Sequence, residues 1–192
     1  KAEMLEAPNH PQHEDRGVRQ FPMSKTLYIE QDDFMEEAPK KFFRLKPGGE
    51  VRLRNSYVIK CEEVIKDESG QVIELKCTAD LDTLGKNPEG REVKGIIHWV
   101  SAEQVVKFQV RIYDRLFTDE KPDGHKDKDF KEFLNPNSLE IVETCYGEPS
   151  LKGSQLGDVY QFERLGYFSI DQDSTGEPMI FNRAVTLRDT WK

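Results

Sequence analysis

Apolar and polar residues alternate with a period of two along short segments of this chain, and clusters of Gly, Pro, Asn or Asp punctuate them. Such a pattern favours strands over helices: a strand turns successive side chains to opposite faces, whereas an amphipathic helix needs apolar residues three and four apart. Val106 to Tyr113 shows it best, and predicts Val106, Phe108, Val110 and Ile112 on a core-facing side. Strands are also predicted at Thr26–Glu30, Glu50–Arg54, Tyr57–Ile65, Val72–Cys77, Lys94–Val100, Ser138–Cys145, Asp158–Leu165, Tyr167–Asp171 and Met179–Arg188. Lys66–Gln71 has the composition of a hairpin turn. Helical content is limited to one or two turns at Asp32–Glu37, an acidic run expected to be a solvated face capped by Asp32 or Asp33, and a turn at Asp129–Leu134. Without long helices between the strands, the fold class is all-β, of barrels or sandwiches.

Thr118–Lys128 interrupts this pattern with a charged stretch containing Pro122 and Gly124. It predicts a loop or linker at 118–128 between a first β-domain at 21–117 and a second at 129–192, with strand exchange between them left open. Residues 1–20 are polar and predict an extended N-terminal segment. The three cysteines are widely spaced and lack a C-x-x-C, as expected of buried thiols in a reducing compartment. No apolar run is long enough to cross a bilayer and no signal peptide is visible, so the expected location is the cytoplasm. His10 and His13 lack the further ligands of a metal set, and no metal is expected.

The net charge of −8 opposes indiscriminate binding to polyanions, so contact with nucleic acid must be local. Arg52 and Arg54 offer such a locus. Alternation puts Val51 and Leu53 on one face and the two guanidiniums on the other, roughly 7 Å apart at strand rise. Each guanidinium is a planar fork suited to phosphate or a guanine edge. The competing reading is a solvated face whose arginines pair with Glu50 or Glu62. Arg111 and Arg115, beside Asp114, suggest ion pairs or a domain junction. Trp99 and Trp191 are expected to be packing anchors, and Asp80, Asp82 and Asp171 have no neighbouring His or nucleophile for acid–base work.

Larger blocks carry a resemblance. Gly49–Lys60, Val93–Ser101, Arg111–Phe117, Glu163–Phe168 and Phe181–Arg183 through Leu187–Trp191, in that order, resemble the C-terminal anticodon-binding region of bacterial glutaminyl-tRNA synthetase over nearly the whole chain. The resemblance implies two barrels like those of ribosomal protein L25, recognition of the glutamine tRNA anticodon loop, and a covalently attached catalytic domain that uses ATP. This chain has no βαβ pattern to hold that chemistry. It is therefore expected to be inactive alone, with no catalytic residue, cofactor or metal of its own. Met23-Ser24-Lys25 only imitates a phosphate-loop motif.

By resemblance, Arg52 and Arg54 fall near the first anticodon base and its backbone, Arg44 reads the third base, and Gln161 with Arg164 reads the middle one. These types suit base edges exposed in a single-stranded loop. The family pattern breaks at Lys41 and Phe43, where a glutamine and a lysine are usual, and at Gln12, which replaces an asparagine. Lys41 remains a candidate for phosphate and Phe43 for stacking, with Phe42 and Phe43 expected to divide between core and surface. The expected partners are glutamine tRNA and the catalytic domain, not DNA or a membrane, and the expected state is a monomer. Alternatives are an archaeal or eukaryotic-type glutamyl-tRNA synthetase region, an L25-like ribosomal RNA binder and a structural docking domain.

Overall fold

The computed structural model describes residues 2–187, which form two compact units dividing between Val105 and Val106. In the first, β1 (Glu3–Pro8) and β2 (Val18–Met23) form an antiparallel hairpin, followed by the short β3 (Leu27–Tyr28). Next come β4 (Glu50–Leu53), β5 (Val58–Lys66) and β6 (Val72–Asp80), then β7 (Ile96–Ile97) and β8 (Val100–Ser101). A four-stranded sheet has the order β6-β5-β4-β7, and β3 pairs with β8. Its core joins Leu5, Ala7 and Phe21 of the hairpin to Leu45, Val51, Leu53, Ile59, Cys61, Ile97 and Trp99.

The second unit holds β9 (Val106–Tyr113), β10 (Leu139–Gly147), β11 (Val159–Phe162), β12 (Gly166–Ile170) and β13 (Met179–Val185). They form one sheet in the order β10-β9-β13-β12-β11, with β13 parallel to β9 and the other pairs antiparallel. Val106, Phe108 and Val110 are buried as their alternation requires, and Ile112 packs at the edge of the same core. Phe181 is fully buried, with ring centroids 5.1 Å from Phe108 and 5.5 Å from Phe162. These tilted and edge-on geometries are the favoured ones for aromatic pairs.

All-β is the fold class, but the expected barrels are not closed: both larger sheets end in edge strands among the described residues. Among the described residues, helical structure is confined to short 3-10 turns. That at Phe130–Phe133 carries an Asp129–Glu132 capping box. The one near Asp32 spans Gln31–Asp33 without a side-chain cap, and Asp33 is buried rather than solvated. The division also differs from a break at 118–128. β9 is bound into the second sheet, and residues 118–134 fold back within that unit through Thr118 N–H to the Phe133 carbonyl and Asn135 N–H to that of Leu116. Residues 1–20 are not merely an extended segment, since β1 pairs with β2 and puts Leu5 and Ala7 into the core. Cys61 is fully buried, Cys145 half-buried and Cys77 exposed, against the expectation of three buried thiols.

Candidate nucleic-acid interface

Val51 and Leu53 are wholly buried while Arg52 and Arg54 stay partly accessible, as the alternation of β4 predicts. Arg54 lies just past the strand, where Ser56 N–H donates to the Leu53 carbonyl and Asn55 takes a φ of 55°. Asn tolerates that left-handed conformation better than most residues. Arg54 N–H donates to the Ile97 carbonyl, and the Arg54 carbonyl accepts from Trp99 Nε1 at 3.0 Å. Trp99 is therefore the expected packing anchor and also a clamp on the backbone that presents Arg54. Trp191 lies outside the described residues.

Arg52 and Arg54 border one open groove of about 670 Å³, lined also by Asn55, Leu84–Asn87, Ile96 and Glu3–Glu6 of β1. The volume is in the range of small-ligand sites. Glu3 accepts from Tyr57 Oη at 2.9 Å, an interaction that, with burial, holds the phenol above its ordinary pKa. Glu50 and Glu62, the carboxylates first considered as partners for the two arginines, each hold another cation, and the Arg52 fork binds backbone carbonyls. Glu50 binds Arg91 Nε at 3.0 Å, and Glu62 binds Lys60 at 3.1 Å and Thr78 at 2.9 Å.

The remaining candidates occupy other places. Arg44 Nη1 donates to the Asp32 carbonyl at 2.8 Å, its Nε stands 3.5 Å from Oδ1 of buried Asp33, and its guanidinium lies 5.8 Å from the Phe42 ring centroid. Burial of Asp33 without a nearby cation would be costly, so this pair fixes Arg44 to the fold. Lys41 is exposed; Phe42 is half-buried outside the core cluster and Phe43 more than half exposed, so the expected division between core and surface does not place either ring in the core. Gly95 fits because the Phe43 carbonyl comes so close that any Cβ there would overlap it. Gln12 sits in the β1–β2 connection, where its N–H donates to His10 Nδ1 at 3.1 Å.

In the second unit Gln161 and Arg164 are exposed at one end of the sheet. Gln161 lies directly opposite Tyr167, so their side chains share a face, and Tyr167 is 40% exposed. Arg164 occupies the tight β11–β12 turn at φ 63°, a conformation that costs a non-glycine residue roughly 1–2 kcal/mol. Tyr167 is thus a further candidate, one that the period of two and its place after the Leu165-Gly166 turn could have marked.

Arg111 is held by Asp171 at 3.2 Å and Asp173 at 2.7 Å, as the ion-pair reading expects. The Asp171 carboxyl lies below its usual range because Asp173 N–H, Asn182 and Arg111 all favour the charged form against the opposing effect of burial. Ser24 is structural too: its hydroxyl reaches the Thr26 carbonyl and Ser101 Oγ, each at 2.7 Å.

Two family models, each describing the anti-codon binding domain of tRNA synthetases class I (E and Q), match residues 1–80 and 96–171. The chain belongs to this family. The anticodon-binding chain is 56% identical over 189 residues to a glutamine–tRNA ligase of Neisseria meningitidis, covering 95% of itself and 34% of that relative. Counterparts from Pseudomonas putida and Rhodopirellula baltica are 54% and 53% identical over 193 residues, covering all of this chain and 34% and 32% of theirs. The chain thus spans about a third of the length of the curated relatives it matches.

Proposed function

We propose that this chain is the anticodon-binding part of a glutamine–tRNA ligase and grips the anticodon loop of glutamine tRNA. The observation that carries the proposal is the groove bordered by Arg54, a charged fork whose backbone is fixed by Trp99 and Ile97. Single-stranded nucleotides suit it, because they leave both a base edge and a phosphate available to the same cleft. Arg44, mounted on Asp33, is assigned to the third anticodon base. Gln161 and Arg164 are assigned to the middle base, with Tyr167 beside Gln161 as a surface on which that base stacks. Lys41 and Gln12 are assigned supporting backbone contacts.

Activation of the amino acid and use of ATP are assigned to an attached catalytic domain. This chain is assigned recognition only, as a cytoplasmic monomer. The test is binding of the 192-residue chain to glutamine tRNA and to the same tRNA with one anticodon base changed. Arg54→Ala should weaken the first complex and reduce its lead over the second. Stronger binding to a glutamate tRNA would reassign the chain within its family, and preference for a ribosomal RNA fragment would overturn the proposal.

A further inference from the structure

The Arg52 fork is already engaged. Its Nη1 donates to the carbonyls of Ser56 at 2.9 Å and Thr83 at 2.8 Å, and its Nη2 to that of Lys86 at 2.5 Å. One side chain therefore ties the turn that follows Arg54 to the segment leading into residues 84–87. That segment belongs to no strand, and Gly85 bends it at a φ of 70°. The Lys86 N–H to Thr83 carbonyl bond is long, at 3.3 Å. Arg52 is thus a major polar tie on the shape of this stretch, all four residues of which border the groove.

We propose that Arg52 is a positioning residue, and that the Leu84–Asn87 segment it holds is a nucleotide-binding wall facing Arg54. In this wall Asn87 meets a base edge and Lys86 a phosphate. The inference rests on the proposed anticodon-binding function. A nucleotide offers a hydrogen-bonding edge, a flat ring and a negative phosphate. The wall has an amide with both donor and acceptor, the 44% exposed Leu84 side chain, and an ammonium group. Glu3 and Glu6 border the groove on β1, and their carboxylates would turn the phosphate toward the Lys86 side. If Arg52 itself read a base or phosphate, its fork would first have to release the carbonyls that shape the groove.

The test uses the 192-residue chain and an unmodified anticodon stem-loop RNA of a glutamine tRNA. Asn87→Ala should weaken binding about tenfold, the effect of one good base-edge contact. Lys86→Ala should lower the slope of log affinity against log salt by roughly 0.7, as loss of one single-strand phosphate contact does. Arg52→Lys keeps the charge but loses the fork, so amide exchange across residues 84–87 of the free protein should accelerate. In that background Asn87→Ala should cost less than about twofold, because a displaced wall has little left to lose.

If Arg54→Ala weakens binding while Asn87→Ala and Lys86→Ala both match the wild type, the wall is refuted and the anticodon-binding function stands. Unchanged exchange at 84–87 in Arg52→Lys refutes the positioning role. If Arg54→Ala and anticodon changes are all without effect, the proposed function fails and the wall with it. The Asn87 and Lys86 arms read the proposal even if an Arg52 variant does not fold.

Discussion

Trp99→Phe tests whether packing in the first unit sets the groove. Trp99 is 4% exposed, its ring centroid lies 5.5 Å from that of Phe21, and its Nε1–H is donated to the Arg54 carbonyl at 3.0 Å. Phenylalanine keeps one ring in place but removes the donor, and a part-buried carbonyl left without it costs about 1–3 kcal/mol. Losing the rest of the indole adds about 1–2 kcal/mol of lost burial and residual cavity. The expected destabilisation is thus about 2–5 kcal/mol, confined to the unit that ends at Val105. Urea unfolding followed by circular dichroism, with hydrogen exchange to assign the affected unit, measures it. Under conditions where the variant stays folded, affinity for the anticodon stem-loop should also fall, because Arg54 is no longer held at its carbonyl. A loss below about 0.5 kcal/mol, within the range of inconsequential surface changes, would refute the reasoning. So would a large loss with unchanged RNA affinity, which would separate the anchor from the site.

Tyr167→Ala should weaken anticodon stem-loop binding by about 1–3 kcal/mol, as loss of one base-stacking surface does, while Tyr167→Phe should bind nearly as wild type. Titration calorimetry distinguishes them. The Asp171 pKa is depressed in the folded state, so its stabilisation is present above the ordinary carboxylate range and disappears as pH falls through the folded value. Thermal melts should show the second unit weakening toward acid, with Asp171→Asn less stable at neutral pH but less steeply acid-sensitive. Desolvation of the sulfur beside Cys61 pushes the Cys77 thiol up to about 12 although the residue as a whole is exposed, so at pH 8 it holds far less thiolate than an ordinary cysteine. Iodoacetamide labelling followed by peptide mapping should find Cys77 slow despite its exposure. Gly95→Ala should destabilise the first unit by about 1–3 kcal/mol, since the added methyl meets backbone at the Phe43 carbonyl; denaturant midpoints measure it.

The period of two made β9 legible because every other residue from Val106 to Ile112 is a large apolar group. The β5–β6 hairpin was equally plain, and Asp67 caps its turn by accepting from the N–H groups of Ser69 and Gln71. β1 escaped notice because its inward residues, Leu5 and Ala7, flank Glu6 in a polar stretch and find their core only beside Phe21 of the paired β2 and residues of β4, β5 and β7. The unit boundary was misplaced for a related reason: membership of β9 is decided by pairing with residues 139–147 and 179–182, which local composition does not encode. At the site, alternation correctly exposed Arg52 and Arg54, but a strand period says nothing about where a long side chain ends. The Arg52 fork turns back onto three carbonyls, two of them about thirty residues away in sequence. Likewise, an acidic run suggested a solvated Asp33, whereas Arg44 and backbone pairing with Leu45 hold it inside.

The central claim is that this fold reads an anticodon through Arg54 and its groove rather than merely attracting RNA. Its most direct measurement is a salt-titrated affinity comparison of the 192-residue chain with glutamine tRNA and with the same tRNA carrying a changed first anticodon base. The account predicts that the change costs about 1–3 kcal/mol in the wild type and much less in Arg54→Ala, with the salt slope nearly unchanged by the base swap. Equal affinities for the two tRNAs at every salt concentration would contradict it.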